Sequence, residues 1–388
     1  MSLRKFSGES LFDGRQLISD VVLITDKNGI VQDVVPTDEA GDDLQLLNGI
    51  LVPGFINAHC HLELSHMKGM IKPGCGFVPF LNQVVNSRSA SAENIAVAME
   101  QAELSMVKEG IVAVGDICNT TDTITRKLER RLYYHSFIET IGFNGRYAAS
   151  IYEQATVLSK AFAVHLNPES ISITPHAPYS VSTELFNLIA AKEVLLSLHN
   201  QEDEAENKFF QQGDGPLLEL YKALKIDISN FKASHLNSLP SIWKNFQNNQ
   251  KILLVHNVAT SAEDVAYISR QPGHPEIYWC LCPNANLYIT GNLPDVGLLR
   301  QHGKMIVGTD SLASNHQLSI LEEMKTIQKN FSDVTLQQLL QWTTINGAEA
   351  LHIENRFGSF EKGKQPGIVL LQKLENESLL NAIASRIL

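Results

Sequence analysis

The sequence predicts an α/β fold, a (β/α)₈ barrel that carries a small β-sandwich built from both ends of the chain. Three observations point there. Eight short apolar runs alternate with helix-length stretches through the middle of the chain, both ends carry strand patterning, and polar residues gather where the apolar runs stop. The runs are Ile50 to Ala58, Gly110 to Asp116, Leu132 to Ile141, Ser170 to Pro175, Val194 to His199, Ile252 to Val258, Ile277 to Cys282 and Lys304 to Gly308. Strands of a parallel sheet are covered on both faces, so they read as unbroken apolar runs rather than as alternating ones. Between them, Ala92 to Lys108, Ser182 to Lys192 and Leu318 to Asn330 have helical length and patterning.

The ends read differently. Val21 to Thr25 and Ile30 to Val35 are apolar runs separated by Asp26-Lys27-Asn28-Gly29, and Asn-Gly between two such runs signals a hairpin. After Leu351, Phe357 to Phe360 and Gly367 to Leu371 are strand candidates, expected to join the hairpin in one small sheet. The expected division is residues 1–50 plus 355–388 for the small domain and 51–354 for the barrel. No internal repeat or low-complexity tract interrupts it.

A chain of 388 residues that is 44% hydrophobic can bury a large core. Its formal charge is −11 and it has no Lys/Arg run, which argues against nucleic acid as a partner. No apolar stretch is long enough to span a membrane, and Met1 to Arg4 carry no apolar signal region. The five cysteines are odd in number and irregularly spaced, which suits a reducing compartment; a cytoplasmic location is expected. Cys280 and Cys282 lack the two-residue gap of zinc or redox pairs and read as same-side strand residues. The expected partner is a small-molecule substrate, and self-association stays open.

In (β/α)₈ enzymes chemistry sits at the C-terminal ends of the strands. The first run ends in His59-Cys60-His61. Strand side chains alternate, so the two imidazoles point one way and Cys60 the other. The fifth ends at His199, with Glu202 shortly beyond; the sixth leads into His256; the eighth leads into Asp310. A lone strand-end histidine can equally be a residue bonded to its neighbour. An acid directly after a buried strand is costly unless a charge meets it, and a metal ion would. The combination favours one divalent metal held by nitrogen and carboxylate donors, a set that suits zinc and is also used by iron and manganese.

The segment Leu51 to His61, with Pro53-Gly54-Phe55-Ile56-Asn57 leading to His59-Cys60-His61, resembles the signature of the amidohydrolase superfamily. His199-x-x-Glu202, His256, Gly308-Thr309-Asp310, Thr344 to Leu351 and Phe357 to Lys364 fall where that family's later motifs fall, so the resemblance covers nearly the whole chain. It is closest to the mononuclear-metal branch of deaminases and chlorohydrolases. His61 to Ser65, Pro175 to Ser180, Cys282 to Tyr288 and Gly308 to Asn315 look most like the aminodeoxyfutalosine, S-adenosylhomocysteine and adenosine deaminase types. Ala285, Pro366-Gly367 and Cys60 depart from the common residues, and none is a proposed ligand.

The resemblance implies His59, His61, His199 and Asp310 as metal ligands. A bound metal lowers the pKa of its water to about 7, supplying hydroxide at neutral pH. Asp310 would take the water's proton, His256 would orient the hydroxide or stabilise the developing charge, and Glu202 would carry a proton to the substrate ring and on to departing ammonia. The reaction implied is hydrolytic deamination at the C–NH₂ of an aminopurine nucleoside or related heterocycle. Alternatives are a triazine chlorohydrolase or aminohydrolase, a cyclic amidohydrolase, and a non-catalytic binding barrel. Glu63 is an expected acceptor for ribose hydroxyls, against a solvent-facing loop acid, and His176 an expected substrate contact, against a buried, satisfied histidine. Asn286 is expected to brace the strand ends, His66 to line the entrance, Trp243, Trp279 and Trp342 to pack internally, and His235 and His316 to lie at the surface.

Overall fold

The computed structural model describes residues 3–273 and 275–388. Met1 and Ser2, on which part of the expectation for the chain's start falls, lie outside the described residues. All eight apolar runs contain strands, and they form two four-stranded parallel sheets. The first holds Phe55–Cys60, Ile111–Cys118, Tyr133–Thr140 and Ile171–Pro175 in spatial sequence. The second holds Leu195–Asn200, Lys251–His256, Glu276–Leu281 and Lys304–Val307. Helices Ala92–Lys108, Thr183–Ala190 and Ile320–Asn330 fall on the three expected segments.

Side-chain alternation along these strands produces two separate apolar clusters. Ile56, Ala58, Phe137, Leu195, Leu253, Val255 and Ile306 pack on one side. Phe55, Ile138, Leu196, Leu198, Ile252, Leu254 and Leu281 pack on the other, where helix residues such as Met99, Met106 and Met324 meet them. The period of two thus sorts each strand between an inner and a helix-facing core.

The first run differs from its expectation. Ile50 to Ala58 is not one strand but two, divided at Gly54. Ile50–Pro53 pairs antiparallel with Ile368–Gln372 and parallel with Ser10–Phe12, outside the parallel sheets. A Cβ on Gly54 would lie 2.2 Å from a Val112 methyl, so only glycine lets the chain cross there. An apolar run carries no mark of which sheet each half joins, so hydrophobicity alone could not divide it.

The terminal segments form two sheets rather than one. Val21–Asp26 and Val31–Pro36 make the expected hairpin, beside Leu3–Ser7 and Gln45–Leu46. Ile368–Gln372 lies in the other sheet, with Ile383–Arg386 and Ile50–Pro53. Phe6, Leu23, Val31, Leu51, Ile368 and Leu370, drawn from both sheets, share one buried cluster. Phe357 to Phe360 is not a strand: Gly358 has φ +85°, and the Phe360 N–H bonds to the Asp13 carbonyl instead of a sheet neighbour. Phe360 still packs in the cluster between the sheets, so its hydrophobicity is used without strand geometry. Among the described residues, no helix is long and apolar enough to cross a membrane.

Candidate active site

The strand ends that the sequence singles out converge on one buried point. A register shift is what aims the first pair. Between Asn57 and Cys60 the first strand carries one residue more than its neighbour, where Val114 and Asp116 are the partners. Such a bulge re-aims side chains. Ile56 and Ala58 face the inner cluster, yet Cys60 packs in the helix-facing one, and His59 and His61 turn inward. Asp310 is brought to them by the eighth strand's exit. The Thr309 and Asp310 N–H groups both donate to the His59 carbonyl, at 3.0 and 3.1 Å. Asn57 and Thr309 exchange two hydrogen bonds, 2.8 and 3.1 Å.

His61 Nε2 lies 3.2 Å from His199 Nε2 and 3.4 Å from Asp310 Oδ1, and His59 Nε2 lies 3.7 Å from the same oxygen. Ligand atoms of His59, His61, His199 and Asp310 all fall within 4.8 Å of one another, and all four residues are buried. Burial lowers the pKa of His59, brings that of His61 down to about 3 and pushes that of His199 well below its usual value. All three are therefore neutral at pH 7, the form in which imidazole binds a metal. Burial alone would raise the Asp310 pKa, but the closeness of the His59 and His61 ring nitrogens outweighs it and holds the group well below its usual value, leaving a carboxylate. His199 Nδ1 is bonded to the His176 carbonyl at 2.9 Å, which leaves the Nε2 lone pair facing the cluster. The His59 Nε2 is buried without a hydrogen-bond partner among the described residues. An orphaned imidazole nitrogen, a second lone pair 3.2 Å from a third, and one ionised carboxylate are what a divalent cation would satisfy.

Around this cluster stand the proton-handling candidates. Glu202 is buried, and burial raises its pKa to about 7, with nearby His256 acting the other way. Its Oε1 is 3.7 Å from His256 Nε2, while His256 Nδ1 meets Asn286 Oδ1 at 2.7 Å. Asn286 thus braces a site residue, as the sequence suggests. The His256 ring stacks on His199 with centroids 5.5 Å apart. Gln201, His256, Asn257 and Asp310 all have positive φ, 44°, 76°, 61° and 57°. Each such non-glycine conformation costs about 1–3 kcal/mol and persists where surrounding structure holds it, which here is the cluster of strand ends. Ser314 Oγ donates to the second Asp310 oxygen, Oδ2, and Asn315 ties the loop back to Thr309 O at 2.9 Å.

A cavity of about 560 Å³ opens beside the cluster, lined at its inner end by His61, His176, Glu139 and Asn119 and further out by Leu81, Val84, Ile141 and Tyr221. His176 Nδ1 is held by Ser180 Oγ at 2.7 Å. Glu63 is 3% exposed, so it is not a solvent-facing acid. Its carboxylate meets Arg88 Nη2 at 2.9 Å and the N–H groups of Asn119 and Thr120 at 3.0 and 3.2 Å. Arg88 and Asn119 line the cavity in turn. His66 Nε2 meets the carbonyl of Arg88, a lining residue, at 2.9 Å.

Glu139 is the residue that sequence reasoning missed. It lies near the end of the third parallel strand, accepts from Asn119 Nδ2 at 2.9 Å, and has Oε1 3.8 Å from His199 Nδ1. Burial raises its pKa to about 7. The signal was available, since an acid at the end of an apolar run is the pattern that singles out Asp310. Trp243, Trp279 and Trp342 are buried, and His235 and His316 are exposed.

Three neutral imidazoles and a carboxylate at the C-terminal ends of parallel strands, with a buried carboxylic acid alongside, form a candidate site for a divalent metal. Residues 50–385 match the amidohydrolase family, and the chain belongs to it. It is 28% identical over 333 residues to an adenosine deaminase of Helicobacter pylori, covering 82% of this chain and 78% of that protein. It is 27% identical over 334 residues to an aminodeoxyfutalosine deaminase of Nitratiruptor sp., covering 84% and 79%. In fold it is similar to the crystal structure of H. pylori aminofutalosine deaminase in complex with methylthio-coformycin. The TM-score is 0.83 at 23% identity, over 99% of this chain and 100% of that one.

Proposed function

We propose that this chain is a metal-dependent hydrolytic deaminase that acts on the C–NH₂ of an aminopurine nucleoside or a closely related heterocycle and releases ammonia. The observation that carries the reading is the buried Glu202 carboxyl with its pKa near 7, set beside His256 and the four-residue cluster. The names of the relatives support the same chemistry. His59, His61, His199 and Asp310 hold the metal in this reading, and zinc is the ion that three nitrogens and one oxygen suit best. When bound, the metal supplies an acidified water.

The chain's own groups do the rest. Asp310, ionised and hydrogen-bonded, accepts the water's proton. Glu202, half protonated near neutrality, donates to a ring nitrogen of the substrate and later passes a proton to departing ammonia. His256, fixed by Asn286, orients the attacking oxygen. His176 contacts the substrate from the cavity wall, and Glu63 acts on the same side through Arg88 and Asn119. The two parallel sheets would close into one eight-stranded barrel. The parallel bridge between Cys60 and Asp310 supports one seam, and the His199 N–H bond to the His176 carbonyl, 2.9 Å, supports the other. The terminal sheets would pack as a small sandwich, with its border at Gly54. Five free thiols fit a reducing cytoplasm.

The test is ammonia release by metal-loaded protein across adenosine, 6-amino-6-deoxyfutalosine, S-adenosylhomocysteine and a chloro-s-triazine. Ammonia from one or more of the nucleosides is expected. Chloride release from the triazine, with no ammonia from any nucleoside, would move the assignment to halide hydrolysis.

A further inference from the structure

A second cavity, of about 590 Å³, lies at the other end of the strands. Six basic residues line it, Lys27, Lys127, Arg130, Arg131, Arg356 and Arg386, and no Asp or Glu does. That bias runs against the whole chain, where 42 acidic residues outnumber 31 basic ones. Two of the six are neutralised from behind. Lys127 pairs with Asp116 at 2.7 Å, and Arg131 pairs with Glu103 at 2.9 Å. Lys27, Arg130, Arg356 and Arg386 form no ion pair among the described residues.

The four are not equivalent. Arg386 is half-buried, and its guanidinium finds only main-chain oxygens, Leu388 O at 3.0 Å and Arg131 O at 3.4 Å. Burial pushes its pKa down. Arg356 donates to Gln365 Oε1 at 3.0 Å and lies 4.9 Å above the Phe357 ring. Phe357 and Tyr133, with ring centroids 5.8 Å apart, add an aromatic wall to the same cavity. Cations that repel one another across a shared cleft lower the stability of the chain, and an anion between them removes that cost. Guanidinium groups offer the planar fork that matches phosphate oxygens. The volume is that of a small-ligand site rather than of a single ion.

We propose that this groove binds a phosphate-bearing anion, up to the size of a nucleotide, at a site separate from the metal cluster. Tyr133 starts the strand near whose far end Glu139 stands, so the two cavities are about 20 Å apart along that strand. Lys127, on the groove wall, bonds Asp116, whose Oδ1 accepts the Leu62 N–H at 3.0 Å beside His61. An occupant of the groove therefore touches a buried charge network that ends next to a metal-ligand candidate.

The experiment is isothermal titration of inorganic tripolyphosphate, and separately of ATP, into the metal-loaded protein and into Lys27→Gln and Arg356→Gln. Both variants change exposed side chains remote from the metal cluster and should leave metal content and the unliganded melting temperature unchanged. Binding by wild type is expected, weakening as salt rises, with each variant about 10-fold weaker. Equal affinity for the two ligands assigns the recognition to phosphate alone, whereas tighter ATP binding adds the aromatic wall; both support the site. Polyphosphates also bind metals. Binding of equal strength in wild type and both variants would therefore place the anion at the metal cluster and overturn the proposal, as would no binding at millimolar ligand.

Discussion

At the scale of single residues the proposed chemistry concentrates on Glu202. Its raised pKa makes it a proton donor below about pH 7, and each further unit of pH removes about nine-tenths of the protonated form. The alkaline limb of kcat/KM should therefore fall from near pH 7. In Glu202→Gln that limb should disappear along with about 10²–10⁴-fold of the rate, while metal content stays stoichiometric. A variant that lost its metal would show instead that Glu202 supports the cluster. Asn286 makes a second, smaller prediction. It holds His256 Nδ1 at 2.7 Å, so Asn286→Ala should cost about 10–100-fold in kcat with little change in KM. Equal kcat in the variant would mean that His256 needs no external brace. Most of the residues in this cluster were legible because acids and histidines at the ends of apolar runs are conspicuous. Glu63 was visible as a residue but not as a partner of Arg88, since a contact across 25 positions leaves no local trace.

Strands and their junctions decide whether those residues meet. Gly308 shows how narrowly: a Cβ there would lie 2.8 Å from both the Cβ and the carbonyl oxygen of His59. Gly308→Ala must push the first and eighth strands apart, at a cost of about 1–3 kcal/mol, and should reduce bound metal below one per chain. Urea unfolding with metal analysis on the same samples checks both; a variant with normal stability and full metal would show that the junction can yield. The eight parallel strands were readable as apolar runs because burial on both faces removes polar residues. The Gly54 division, the bulge before Cys60 and the irregular Phe357 to Phe360 segment were not. Each depends on which neighbour a residue meets, and hydrophobicity is the same in a strand, a bulge or a packed loop.

Across the whole molecule, one end of the parallel strands gathers neutral imidazoles and buried acids, and the other gathers six cations, only two of which pair with a carboxylate side chain among the described residues. Local sequence showed the first because each strand end announces itself separately. It hid the second, because Lys27, Arg130, Arg356 and Arg386 come from distant stretches that only folding assembles. The central claim is that water replaces an amino group at this centre. It is tested most directly by running the metal-loaded enzyme with its best aminopurine nucleoside in ¹⁸O-labelled water, and measuring ammonia and the label in the product ring. The account predicts one ammonia per product, with one labelled oxygen at the carbon that bore the amino group. Ammonia without label in the ring, or no ammonia from any aminopurine nucleoside by protein carrying its full metal, would contradict it.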